Sequence, residues 1–143
     1  KNNLGIKNYK INFTEKGAIP LFSPMTKNNN KVINIGSSGG MTRLSTGYTF
    51  LNIQEHSKYI SRNIERIDKV KIFNLGKKYQ FLDKIFIRVL KNHPEKMPKI
   101  FFDMFKTPSN TIIKFLSNKS NLLEDIHIIS KMPKLIFLKA LLN

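Results

Sequence analysis

The chain has no cysteine and no tryptophan. Its 143 residues include only 7 glycines, and 9 acidic side chains face 25 lysines and arginines. Without cysteine there are no disulfides, no thiolate catalysis and no cysteine-based metal sites. Imidazole can come only from His56, His93 and His127. These lie far apart, none in a metal-ligand spacing, and each reads as a surface helix residue. No apolar run approaches the length of a bilayer span, and no signal peptide opens the chain. The shortage of acid leaves a formal charge of +16. Such a surface attracts polyanions: nucleic acid, nucleotide phosphates or an anionic membrane. Lys, Asn and Ile dominate, however, and all three can be written in A/T-rich codons, so charge alone names no partner. The length suits one small domain. The opening KNNLGIKNYKINF lacks an initiator methionine and reads as the interior of a longer chain.

What is present divides into two halves. Residues 8–22, NYKINFTEKGAIPLF, alternate apolar and polar side chains and then turn apolar, which predicts two short strands. Pro20 would put the second at an edge or beside a bulge. Residues 25–32 form a polar turn with a low-complexity Asn/Lys run. KVINIG, residues 31–36, is a short β-branched run and predicts a buried strand, so that residues 17–36 read as a hairpin. From Ser45 the period changes. Tyr48, Leu51, Ile53, Tyr59, Ile60, Ile64 and Ile67 recur at mainly helical spacing, with Ser45 or Thr46 able to cap the start. After a connector at residues 70–76, the rest reads as a series of short helices opened by Pro, Ser or Asn. Their apolar faces suit either a plain bundle with solvated lysines or a basic-apolar surface that lies on a membrane.

Between the halves lies IGSSGGMTRLSTGYTF, residues 35–50. A predicted strand ends in glycine, small residues follow, and a helix is expected to open. Bare backbone at such a place can approach a ligand closely, and a helix N-terminus adds free N–H groups and partial positive charge. Arg43 supplies a cation. The stretch is neither a P-loop nor a GxGxxG fingerprint, since the glycines fall at 36, 39 and 40. A flexible turn and a phosphate site both remain open on these residues.

The stretch IGSSGGMTRLSTGYTFLNIQEHS resembles the second flavin-binding segment of the lycopene cyclases. The matching positions are Gly36, Ser38, Gly39, Gly40, Ser45, Thr46 and Gly47. The upstream AIPLF (residues 18–22) and the tail at residues 115–142 resemble other parts of the bacterial members, so the likeness covers nearly the whole chain. It implies an α+β fragment: the C-terminal part of a glutathione-reductase-like, Rossmann-type FAD-binding fold. In that fold a β-hairpin, the Gly-rich turn and a long helix (residues 1–75) precede a helical C-terminal region (residues 76–143). It also implies that Gly36, Ser37, Ser38, Gly39, Gly40 and Met41 approach the flavin's pyrophosphate and ribityl chain. Ser45, Thr46, Gly47 and Tyr48 would then face the ring edge. Ser37 stands where related flavoproteins often carry an acid.

The resemblance further implies an acid-initiated, non-redox closure of the linear ends of lycopene to β-ionone rings. It uses reduced FAD, with NAD(P)H as reductant. A raised-pKa buried acid protonates the polyene, and aromatic faces suit the cation. Tyr48 and Phe50 are the candidates for the pocket wall. The family's acidic motif is not matched here, so the catalytic acid is expected upstream and these residues alone are expected to be inactive. The implied partners are a linear carotenoid and the membrane surface, at the cytoplasmic face and without nucleic acid. Two alternatives stand beside this reading. One is a related flavoprotein, of the geranylgeranyl reductase or aromatic hydroxylase kind. The other is a non-catalytic basic module for membrane or nucleic acid.

Overall fold

The computed structural model describes residues 9–24 and 32–142. Among these described residues six α-helices carry the architecture: α1 (Phe50–Arg62), α2 (Lys77–Asn92), α3 (Met97–Met104), α4 (Ser109–Leu116), α5 (Leu122–Lys131) and α6 (Lys134–Leu142). Short 3-10 turns occupy Gly36–Gly39, Ile64–Lys69 and Pro94–Lys96.

The last five helices follow from local rules. In α2, Tyr79, Asp83, Phe86 and Val89 are buried at intervals of three or four, the spacing of one helical face. Pro94 follows its end and Pro98 sits in the first turn of α3, where a missing N–H costs nothing. Helix α4 stops where Asn118 takes a left-handed φ of 64°, a conformation asparagine tolerates. Helix α5 opens with a reciprocal cap: Asn121 Oδ1 accepts from the Glu124 N–H while Glu124 accepts from the Asn121 N–H. The apolar faces meet in one core that includes Phe86, Val89, Met97, Ile100, Met104, Ile112 and Ile128. The Phe86 ring lies 5.4 Å from Phe101 and 5.9 Å from Phe137. Burying each such side chain stabilises by about 1.5–3 kcal/mol.

The α+β expectation is overturned. The described residues form no sheet, only an isolated bridge at Val32, so they contain no Rossmann-type part. Residues 9–24 carry the expected alternation, yet Tyr9, Ile11 and Phe13 are exposed and the segment has no regular structure. A strand is held by a ladder of backbone bonds to a neighbour, and no such ladder joins this segment to another among the described residues. Pro20 and Pro24 remove two donors besides. The predicted hairpin loses its second arm in the same way, because the chain enters the 3-10 turn at Gly36; Asn8 and residues 25–31 lie outside the described residues.

The long helix is also shorter than expected. Residues 43–47 make a tight turn instead, with the Arg43 carbonyl accepting from the N–H groups of both Thr46 and Gly47. Helix α1 starts at Phe50 and ends at Arg62, after which Arg66 leaves helical geometry at φ −127°, ψ 48°. Asn63 donates from Nδ2 to the Tyr59 carbonyl, which competes with continuation of the backbone ladder. Ile64 and Ile67 find no apolar cover and stay exposed.

Candidate functional site

The glycine-rich segment packs into a compact knot. Gly40 closes the 3-10 turn at φ 71°, and its N–H reaches the Ser37 carbonyl. A Cβ at Gly39 would sit 2.4 Å from the Asn34 carbonyl oxygen, so only glycine fits there. Met41 is fully buried and its sulfur accepts from the Gly36 N–H at 3.3 Å.

A chain of hydroxyls crosses the knot, and its direction follows from counting protons. Thr49 donates to the Gly47 carbonyl at 3.1 Å. A hydroxyl has one proton, so in the 3.1 Å Thr42–Thr49 pair Thr42 is the donor. In the 3.0 Å Ser37–Thr42 pair the donor is then Ser37. Ser37 is left with lone pairs only. It lines a cleft of about 210 Å³ together with Gly39, Gly40, Thr42, Phe22 and Phe73. None of the described residues that line that cleft is a cation.

Arg43 corrects the sequence reading. It is fully buried and faces no anion site. Its Nη2 meets Asp83 Oδ1 at 2.7 Å, its Nε bonds both carboxylate oxygens, and its Nη1 donates to the Phe115 carbonyl at 2.7 Å and to Asn118 Oδ1. The rings of Tyr79 and Phe115, set edge-to-face to one another, both lie against the guanidinium, at 4.8 and 4.7 Å. Asp83 also accepts from the Leu44 N–H and from Ser45 at 2.6 Å. The network continues from Asn118 to Asn52 and on to the Met41 carbonyl. It therefore joins the glycine-rich knot, α1, α2 and the end of α4. The sequence held a signal for Asp83: it is the one acid on α2 and falls on that helix's apolar face. An acid so placed must find a cation.

The expected site residues separate into groups. Ser37, Gly39 and Gly40 reach the polar cleft, whereas Gly36, Ser38, Met41, Thr46, Gly47 and Tyr48 do not line it. Ser45 turns the other way, onto an apolar cavity of about 400 Å³ between α2, α5 and α6. Tyr48 contributes its carbonyl to the Arg43 N–H, and Phe50 is exposed. Neither lines the cleft or the cavity.

All nine acids of the chain fall within the described residues. Glu15, Glu55, Glu65, Asp68 and Glu95 are exposed. Asp83 receives the bonds above. Asp125 accepts from Ser120 at 2.5 Å and from Lys78 at 2.7 Å. Hydrogen bonds from Lys106 and then Lys99 hold the Asp103 carboxyl below its ordinary pKa; those from Lys114 and then the Asn121 N–H do the same for Glu124. His56, expected on a helix surface, is buried instead, 5.8 Å from the Tyr59 ring and 6.0 Å from Phe73. Its Nε2 has no hydrogen-bond partner among the described residues, and burial lowers its pKa below the ordinary 6.5. The described residues hold no cluster of His, Asp or Glu fit for a metal ion.

No curated protein and no solved structure matches the chain. One family model does, over residues 1–142, and its description reads "Lycopene cyclase protein". With a match along almost its whole length, the chain belongs to the lycopene cyclase family.

Proposed function

We propose that the chain serves a flavoenzyme that closes the linear ends of lycopene, or of a related carotenoid, to β-ionone rings. The observation that carries this reading is the family match over residues 1–142. In this reading residues 1–75 belong to the cofactor- and substrate-facing part, and residues 76–143 form the helical region that supports it.

The polar cleft suits one portion of FAD. Ser37, as acceptor, would take a hydrogen bond from a ribityl hydroxyl, and Phe22 and Phe73 would flank the ring system. The cleft's lack of a cation, with Arg43 tied to Asp83, argues against the pyrophosphate resting there among the described residues. Bound flavin, reduced by NAD(P)H, would supply an electron-rich surface beside the substrate cation.

The reaction adds a proton to a terminal double bond, closes a six-membered ring by attack of a second double bond on the cation, and releases a proton to set the new alkene. Atoms and electrons balance with no net redox change. Its donor must be a buried, unpaired acid. Asp83 borders the apolar cavity, yet Arg43, Leu44 and Ser45 all donate to it, so both its oxygens are engaged as acceptors within the chain. The other acids are exposed or lysine-paired. We therefore place the proton donor outside this chain. Tyr48 and Phe50 remain the proposed substrate contacts. The enzyme would sit peripherally on the cytoplasmic face of the membrane that dissolves its substrate. No described helix is long and apolar enough to cross one.

The test is expression of the intact protein in a lycopene-accumulating bacterial host, with pigment analysis and flavin absorbance of the purified protein. Ring-closed product and bound flavin are expected. Ser37→Val should lower flavin affinity by up to about tenfold, the size of one lost hydrogen bond, with only a small fall in melting temperature from the lost Ser37–Thr42 bond. Unchanged lycopene together with colourless protein would overturn the reading.

A further inference from the structure

Helix α6 reads KLIFLKALL and has no polar side apart from its lysines. At about 100° per residue, Leu135, Leu138 and Leu142 share one face, roughly opposite the buried Ala140. They are 75, 53 and 79 % exposed. Lys134 and Lys139 lie on the two flanks of that face. Helix α5 repeats the arrangement: Leu122, Ile126 and Ile129 point outward while Asp125 and Ile128 point in. The two outward faces meet at the apolar cavity, which Ile129, Leu135 and Leu138 line from either side, with Lys134 among the lining residues.

Charge on this surface has one sign. The acids of α5 turn away from it, Asp125 to Lys78 and Glu124 to Lys114, and α6 has none. Lys134 and Lys139 are exposed and have no acidic partner among the described residues. A second copy would bring the same lysines against them, which like-charge contact disfavours. Leucines between lysines, with stems that can lie along apolar surface and ammonium groups that can reach outward, instead match the boundary between hydrocarbon and anionic headgroups.

We propose that the outward face of α5 and α6 seats on a bilayer containing anionic phospholipid. Leu135, Leu138 and Leu142 enter the hydrocarbon edge, and Lys134 and Lys139 meet headgroup phosphates. This rests on the peripheral placement given under the proposed function and assigns it a surface. It also puts the mouth of the apolar cavity against the lipid.

Flotation of the full chain tests it, using phosphatidylcholine vesicles with and without phosphatidylglycerol, free of carotenoid and flavin. A failed cyclase assay therefore leaves the result standing. The chain should float with the anionic vesicles and release at high salt. Leu135→Ser/Leu138→Ser should weaken binding at least about tenfold. Lys134→Glu/Lys139→Glu should abolish the preference for phosphatidylglycerol. Both should keep the wild-type circular dichroism and melting temperature, and Phe13→Ser should bind as the wild type does. Equal flotation of the leucine variant overturns the proposal. So does a wild-type chain that ignores anionic vesicles, including one that sediments as a dimer dissociated by the leucine substitutions.

Discussion

Residues 9–24 and residues 122–131 are both rich in apolar side chains at regular intervals, and only the second forms an element. In α5 the pattern is completed locally: backbone bonds close within ten residues and Asn121 caps the first turn. In residues 9–24 the pattern acquires no backbone ladder among the described residues, and Phe13 remains 79 % exposed. A helix carries its own hydrogen-bond acceptors; a strand borrows them from elsewhere in the chain or from another chain. The Arg43–Asp83 pair is where the irregular half is fastened to the helical one.

Breaking that fastening should have the largest effect. Arg43→Ala leaves Asp83 buried without its cation, and a loss of about 3–5 kcal/mol in denaturant-measured stability is expected. Arg43→Met/Asp83→Leu should recover much of it, because both charges then leave the interior together. If the irregular half were merely draped on the bundle, the single substitution would do little. Next comes the bundle itself: Ile100→Ala, at a side chain 1 % exposed, should cost about 2–5 kcal/mol. Asn121→Ala removes the cap of α5 and should cost about 1 kcal/mol.

A pH effect follows with a definite sign. Burial lowers the His56 pKa in the folded chain, so below 6.5 the unfolded chain takes up the proton more readily. Stability from this group is complete above pH 6.5 and declines as pH falls below it. His56→Phe should flatten that part of a pH series of melting temperatures. The smallest effect belongs to an exposed side chain of residues 9–24: Phe13→Ser should shift stability by no more than about 0.5 kcal/mol. A larger loss would show that residues 9–24 are covered in solution.

The same contrast sets what could be read from sequence. Helices α2 to α6 were legible because the 3.6-residue period and the openers Pro94, Pro108, Asn121 and Pro133 are local facts. The place of the glycine knot was legible too, since Gly39 and Gly40 answer to backbone geometry within six residues. The role of Arg43 was not, because its partners lie 40 and 72 positions away. A cation beside glycines looks like an anion site until Asp83 is seen to occupy it. His56 was missed for a similar reason: its cover includes Phe73, from a connector with no period to announce it.

The row of hydroxyls through the glycine knot has a last consequence. Its sense is set at one end, where Thr49 gives its proton to the Gly47 carbonyl, and is read at the other, where Ser37 faces the cleft. A residue that never touches the cleft thus decides whether the opening takes hydrogen bonds or gives them. Thr49→Val would remove the anchor and let the row run backwards. Thr42 could then give its proton to Ser37, and Ser37 would present a proton where it had presented a lone pair. The taste of the pocket for hydroxyl or for anion would be rewritten from behind, with the shape of its wall unchanged.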